Sequence, residues 1–308
     1  MELIRGLQNI KPAHRGCVLT IGNFDGVHRG HQAVLAQVKA IAEQLGLPAA
    51  VLVFEPQPLE LFKPELAPAR LTRFREKYHW LAEQGLDRLI CASFTQEFAA
   101  QEPEHFIQHL LLQQLDVKHL IVGDDFCFGK NRAGNFALLQ KAADEFGFRL
   151  TPTASLKQRD QRVSSTLIRE ALANDALEAA ADMLGRPFSL MGRVRHGQKV
   201  GRQLGFPTAN VWLYRKKIPV NGVYAIEAFT KTGSYRGVAN IGLRPTLQGR
   251  VEQLEAHFFD FNGDLYGQQI EVVLKKKIRT EQKFASLEEL QQQIQLDAAA
   301  AKQYFATI

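Results

Sequence analysis

The chain has 308 residues, 45% of them hydrophobic and 23% charged, with a formal net charge of +6. This length supports two domains with cores of their own, and the composition excludes a disordered, collagen-like or disulfide-stapled chain. No apolar run reaches the roughly 20 residues of a membrane helix, and the first residues lack the apolar centre of a secretory leader. Cys17, Cys91 and Cys127 are odd in number and widely spaced, which suits reduced thiols. The cytoplasm is therefore the expected compartment, with no membrane partner. The basic residues are dispersed and lack a stripe with interleaved aromatics, so nucleic acid is not an expected partner either.

The first element is a strand that ends in a turn rich in glycine, Val18 to His31, followed by a helical run from Gln32 to Leu45. Orphan N–H groups and the positive end of the dipole make a helix start an anion site. Gly22, Gly26 and Gly30 let the backbone approach an oxyanion, and His28 and His31 add two imidazoles at the same place. The pair lacks the further ligands that zinc requires. A purely structural βα turn remains the competing reading of this stretch alone.

Apolar strands are expected at Ala49 to Phe54, Arg88 to Ser93 and His119 to Val122, and helices at Thr72 to Glu83 and Pro103 to Leu115. That alternation predicts a doubly wound α/β domain, with ligands outside the carboxyl ends of its strands. Asn23 to His31, Phe54 to Pro58 and Gly123 to Arg132 then open on one crevice. Ser164, Ser165 and Thr166 stand at the start of another helix, as caps or as phosphate contacts, with Arg169 one turn in.

Past Gly185 the pattern changes to antiparallel strands, Gly222 to Phe229, Tyr235 to Ile241, Glu252 to Phe259 and Gln268 to Lys277. Hairpin turns are expected at Lys231 to Ser234 and at Phe261 to Asp264, and together these predict a small barrel. A closing helix begins at a capping box of Ser286 and Glu289. The stretch Gly201 to Asn210 lacks the ending of a P-loop; it reads as a glycine-rich flap in which Thr208 and Asn210 share a face. Their oxygens suit Mg²⁺ and phosphate, with a polar turn as the alternative. Glu255 and His257 share one side of an apolar strand, expected to be the inner side, where a carboxylate needs a partner or a function.

Taken in order, several motifs resemble the bacterial bifunctional riboflavin kinase/FMN adenylyltransferases over nearly the full length. They are Gly22 to His31, Phe54-Glu55-Pro56, Val122 to Phe126 with Phe128-Gly129, Ser164 to Thr166 with Arg169, Gly205 to Asn210, Asn221 to Tyr224, Gly237 to Gly242 with Arg244-Pro245-Thr246, and Glu255. The resemblance implies a Rossmann-like nucleotidylyltransferase domain over residues 1–184 and a riboflavin kinase barrel with a closing helix over 185–308. It implies two reactions, riboflavin and ATP to FMN in the barrel, then FMN and ATP to FAD and pyrophosphate in the first domain, with Mg²⁺ as cofactor. For adenylyl transfer it implies roles for His28 and His31, and ATP contacts from Gly22, Asn23, Phe24, Asp25, Gly30, Ser164, Ser165, Thr166 and Arg169. Phe54, Asp125, Phe126 and Phe128 are implied flavin contacts, although core packing competes for the phenylalanines. For the kinase it implies Glu255 as base, ATP contacts from Gly201, Gly205, Thr208 and Asn210, and Mg²⁺ held by Thr208 and Asn210. Two other functions remain open from the residues alone: a nucleotidylyltransferase for another phosphorylated substrate with an inert barrel, and a nucleotide sensor with an RNA-gripping barrel.

Overall fold

The computed structural model describes residues 1–153, 157–158, 161–196, 205–215, 217–246 and 249–307. Contacts divide the chain into two units. Met1–Pro68 and Phe74–Ser164 form the first, and Ala69–Arg73 and Ser165–Ile308 the second.

The first unit is built on β1 (Glu2–Arg5), β2 (Cys17–Ile21), β3 (Ala49–Glu55), β4 (Arg88–Ser93), β5 (Val117–Val122) and β6 (Arg149–Pro152). These form one six-stranded sheet in the order β1-β4-β3-β2-β5-β6. Every adjacent pair is parallel. β2 is buried along its whole length, as a strand covered on both faces must be. The order reverses between β2 and β5, and that is where a doubly wound sheet opens its crevice. β1 and β6 lie at the two edges; both are short, which is why no strand pattern announces them.

Helix α1 (Arg29–Leu45) buries Leu35, Val38 and Ala42 and stops at Gly46, whose φ of +65° is the left-handed cap that glycine adopts freely. It is followed by α2 (Pro58–Phe62), α3 (Phe74–Ala82), α4 (Gln96–Ala99) and α5 (Pro103–His105). The helix expected from Pro103 to Leu115 starts as α5 and widens into π-type turns over Phe106–Gln114, where Leu115 N–H donates to the Leu110 carbonyl at 3.0 Å. Further on are α6 (Phe136–Phe146) and the two-residue strands β7 (Lys157–Gln158) and β8 (Gln161–Arg162).

The second unit contains α7 (Ser165–Ala173), α8 (Leu177–Leu184), β9 (Ser189–Arg195), β10 (Ala209–Trp212), β11 (Gly222–Thr230), β12 (Gly233–Thr246), β13 (Gly249–Phe258), β14 (Gln269–Arg279) and α9 (Leu287–Ala306). The strands close an antiparallel barrel in the order β10-β13-β12-β11-β14-β9. Tyr224, Ile226, Ala239, Ile241, Leu254 and Ala256 fill its interior, continuous with Ile168, Leu172, Ala180 and Leu184 from α7 and α8. The turn at Lys231-Thr232 is a two-residue hairpin, closing on the pair Thr230 and Gly233. Phe261 to Asp264, by contrast, joins no hairpin: β13 pairs with β10 and β12, while β14 pairs with β11 and β9, so the connection passes between strands that are not neighbours. Its residues still turn locally, with the Asp264 carboxylate accepting from the Tyr266 N–H at 2.8 Å.

Helix α9 covers the opposite wall of β11 and β12, packing Ala298, Ala301 and Phe305 on Val223, Ala225 and Val238. Ser286 caps it by accepting from the Glu289 N–H at 3.2 Å, while the Glu289 carboxylate takes the Ala285 N–H at 3.0 Å. Buried Asp297 receives Arg279 through Nε at 2.9 Å and Nη2 at 2.8 Å, a forked pair that fixes the helix to β14. Gly237 sits where any Cβ would collide with the carbonyl oxygen of His257 on the adjacent strand. Gly237→Ala is therefore expected to lower stability by about 1–3 kcal/mol, read as a shift of the denaturant midpoint.

Candidate functional sites

In the first unit the site begins with the turn between β2 and α1. Phe24 and Val27 hold φ values of +46° and +43° around Gly26 at +88°. For a β-branched residue such as Val27 this is strained backbone, a state that persists where the surroundings impose it and that clusters at functional sites. The turn delivers His28 as the N-cap of α1, its Nδ1 accepting from the His31 N–H at 3.3 Å. An accepting Nδ1 leaves the proton of neutral His28 on Nε2, a donor. The two imidazoles stack with centroids 3.6 Å apart and planes 18° from parallel. Phe24 packs on His31 at 4.8 Å.

Burial, the neighbouring His28 and the ammonium of Lys77 hold His31 well below the usual imidazole range. It stays neutral at physiological pH, and its buried Nδ1 makes no hydrogen bond. Asp25 is buried, Gly22 lies against the Phe24 ring, and Asn23 is exposed. Gly30 stands in a tight place: a Cβ there would stand 3.1 Å from the His28 ring and 3.3 Å from the Val163 carbonyl oxygen. Val163, and with it Ser164, is thus brought to the first turn of α1.

The end of β3 and the loop after β5 supply aromatic rings. Phe54 and Phe126 are half-buried; Phe128 is buried in the core, stacked on Phe126 at 5.6 Å. Phe94 and Phe98, which no motif marked, pack on Phe54 at 5.5 and 5.9 Å. Asp125 is exposed and turns its carboxylate back to the bare Cα of Gly123.

In the second unit, Ser165, Thr166 and Arg169 lie on α7. The Arg169 Nε donates to the Ala69 carbonyl at 2.6 Å, so part of its fork anchors the 69–73 segment. Arg215 does the same, donating to the Arg70 carbonyl. Gly201, with Arg202 to Leu204, lies outside the described residues.

The barrel corrects one expectation. Glu255 and His257 do share a face, but it is the outer one: Leu254, Ala256 and Phe258 are the residues of β13 that point into the core. The alternation of a strand settles which residues go together and leaves open which set goes inside. The larger apolar side chains take the interior here.

On that outer wall Asn240, Glu255 and Asn210 form one cross-strand row over β12, β13 and β10. Gln253 donates through Nε2 to Asn210 Oδ1, and Asn240 Nδ2 reaches the Glu281 carboxylate at 3.5 Å. The Gly205 to Thr208 segment folds over this wall, its Pro207 carbonyl 3.0 Å from His257 Nδ1 and the Phe206 ring 5.2 Å from the imidazole. Gly242 leaves the volume that the Glu281 carboxylate occupies. Asn240, Gln253 and Glu281 were not singled out from the sequence, because their place beside Glu255 depends on strand register.

Among the described residues no group of three or more His, Cys, Asp or Glu side chains could hold a metal ion alone. Thr208, Asn210 and Glu255 instead offer hard oxygen donors, which suit a magnesium ion shared with phosphate oxygens. No helix among the described residues is long and apolar enough to cross a membrane.

Comparison with known proteins assigns a family to each half of the chain. Residues 10–167 match the FAD synthetase family model, and residues 184–305 match the riboflavin kinase model. The bifunctional riboflavin kinase/FMN adenylyltransferase of Escherichia coli K12 is 53% identical over 99% of this chain and 98% of its own. Its counterpart in Haemophilus influenzae is 50% identical over 99% of both chains. A crystal structure described as a macrolide-efflux protein from Streptococcus pneumoniae shares the fold, with a TM-score of 0.79 and 28% identity over 96% of this chain and 97% of that one. With both family models matched in order along one chain, and relatives of this identity over almost its whole length, the protein belongs to the bifunctional riboflavin kinase/FMN adenylyltransferases, and it both phosphorylates riboflavin and adenylylates FMN.

Proposed function

We propose that the two reactions divide between the outer wall of the barrel and the turn before α1, with catalytic modules spanning 1–184 and 185–308. The observation that carries the kinase assignment is the row of Asn210, Glu255 and Asn240 beside the Gly205 to Thr208 segment. Glu255 accepts the proton of the ribityl 5′-hydroxyl as its oxygen attacks the γ-phosphorus of ATP. ADP leaves, and FMN is the product. Phosphoryl transfer asks the protein for alignment, charge neutralisation and one proton acceptor. Thr208 and Asn210 would hold Mg²⁺ together with the nucleotide phosphates, and Gly205 belongs to the segment over ATP. When bound, the magnesium ion neutralises charge on the phosphates.

In adenylyl transfer the FMN phosphate is already a nucleophile, so the chain needs donors and positioning more than a base. His28 offers its Nε2 proton, and neutral His31 stands against it at the positive end of α1. The N–H groups of Gly22 to Gly30 and the Ser164 hydroxyl contact the triphosphate of ATP. Ser165, Thr166 and Arg169 are assigned to phosphate on the family resemblance. Phe54 and Phe126 are assigned to the isoalloxazine ring, and the compartment is the cytoplasm.

Metal dependence tests the barrel assignment directly. Chelation of divalent ions is expected to abolish FMN formation from riboflavin and ATP, and added Mg²⁺ to restore it. Asn210→Ala is expected to raise the Mg²⁺ concentration needed for half-maximal rate by about tenfold, the loss of one good charge-assisted contact. Separation of flavins after incubation gives the readout; an unchanged Mg²⁺ requirement in Asn210→Ala would remove that residue from the site.

A further inference from the structure

Gln253, Glu255 and His257 alternate along the outer face of β13, while Leu254, Ala256 and Phe258 point into the barrel. Glu255 stands directly opposite Asn210 on β10, which leaves Gln253 on a diagonal to that asparagine, within reach of a long side chain. In the other direction the pairing of Ala209 with Ala256 brings Thr208 level with His257. The two neighbours of Glu255 on this face therefore each stand beside one of the two oxygen donors assigned to Mg²⁺. We propose that Gln253 and His257 are positioning residues for riboflavin phosphorylation: Gln253 fixes the orientation of the Asn210 amide, and His257 fixes the backbone that carries Thr208. The inference rests on the assignment of Thr208 and Asn210 to the metal.

An asparagine amide carries oxygen at one end and N–H donors at the other, and only the oxygen can ligate Mg²⁺. Asn210 is 8% exposed, so water does little to choose between the two orientations. Gln253 makes the choice. Its Nε2 donates to Asn210 Oδ1, and a reversed amide would set Nδ2 against that Nε2, donor facing donor. The oxygen has two lone pairs, so one is left for a cation while the other accepts from Gln253. His257 works through the main chain. A carbonyl oxygen can only accept, so the 3.0 Å contact with Pro207 places a proton of the imidazole on Nδ1 and makes it the donor. The same ring meets Phe206 at 5.2 Å and Phe259 at 5.9 Å, both nearly perpendicular to it. Phe206 and Phe259 in turn pack on the cluster of Val223, Ala225 and Val238 beneath α9. The peptide that leads into Thr208 is thus held by a hydrogen bond on one residue and a ring contact on the one before it. Neither Gln253 nor His257 takes the substrate proton; each acts through the donor residue beside it.

The test uses the full chain and follows FMN formation from riboflavin and ATP over a range of Mg²⁺ concentrations. Gln253→Met keeps the length of the side chain and removes its N–H. It is expected to raise the half-maximal Mg²⁺ concentration about fivefold, the worth of one ordinary hydrogen bond, with little change in kcat at saturating Mg²⁺. The deciding arm repeats that substitution in the Asn210→Asp background. A carboxylate presents oxygen at both ends and has no orientation to select, so there Gln253→Met is expected to change the requirement by less than about twofold. His257→Phe keeps a ring and removes the Nδ1 donor, and is expected to raise the requirement about fivefold, whereas His257→Asn offers an amide N–H near the same place and is expected to stay within about twofold of the parent chain. A second readout needs no turnover: Mn²⁺ titrated into the chain with ADP, followed by the electron paramagnetic resonance signal of the free ion. Asn210→Ala marks the share of Mn²⁺ held elsewhere, and Gln253→Met and His257→Phe are expected to weaken the remainder in proportion to their kinetic effect. FAD formation from supplied FMN reports that each sample is folded. An unchanged metal requirement in Gln253→Met, or an equal loss in both Asn210 backgrounds, overturns the role of Gln253. An unchanged requirement in His257→Phe, or an equal loss in His257→Phe and His257→Asn, overturns that of His257. A requirement unchanged in Asn210→Ala would overturn the metal assignment itself, which is a different failure.

Discussion

Glu255→Ala is expected to lower FMN formation from riboflavin by about 10²–10⁴-fold, the range of a lost general base, while FMN supplied directly is still converted to FAD. Glu255 is half-buried on the outer wall of β13 and packs no part of the barrel interior, so its removal leaves the core as it was. Glu255→Gln keeps the shape and removes the proton acceptor. An equal loss in both variants assigns the effect to basicity, whereas activity retained in the glutamine variant would assign it to packing against Asn210 and Asn240. Chromatographic separation of riboflavin, FMN and FAD from two incubations, one started with each substrate, gives both rates from one sample. A folded Glu255→Ala chain equally impaired in both incubations would mean that the reactions do not have independent centres.

The converse variant, His31→Ala, is expected to lower FAD formation by about 10²–10³-fold, the cost of removing one donor from a developing oxyanion, and to leave FMN formation intact. The stack matters to the size of this effect. His28 caps α1 through a bond to the His31 backbone, which His31→Ala retains, and it loses its ring partner at 3.6 Å. His28→Ala removes the cap as well, so it carries an additional stability loss of about 1 kcal/mol. Comparing the two variants by kcat and by thermal midpoint separates the chemistry from the cap.

The sequence was most informative where backbone conformation and chemistry coincide. The glycines from Gly22 to Gly30 mark a turn whose tightness the structure makes explicit at Gly30, and the strand from Ala49 is found with its start unchanged. The barrel was legible from alternation and from the Lys231-Thr232 turn. What was not legible depended on which wall a set of side chains faces or on which strands become neighbours. Glu255 and His257 were correctly grouped and placed on the wrong side. The Asn262-Gly263 pair turns the chain without pairing its flanking strands, because closure of the barrel gives β13 and β14 other neighbours. Lys77 falls in a short polar helix, Phe74–Ala82, where a lysine is ordinarily assigned to solvent, and its burial, 3.6 Å from Glu55, follows from tertiary packing.

The outward direction of Glu255 has a consequence for how this barrel can change. On the proposed assignment, a ligand held against Asn210, Glu255 and Asn240 never has to pass between strands, and the interior from Tyr224 to Ala256 then serves as scaffold alone. Tightening that interior, by exchanging one apolar side chain for another of better fit, raises resistance to heat without narrowing any route for riboflavin. Thermal hardening and turnover are therefore separable properties of the second unit, and adaptation to a hotter habitat can proceed in the interior while the catalytic wall stays as it is.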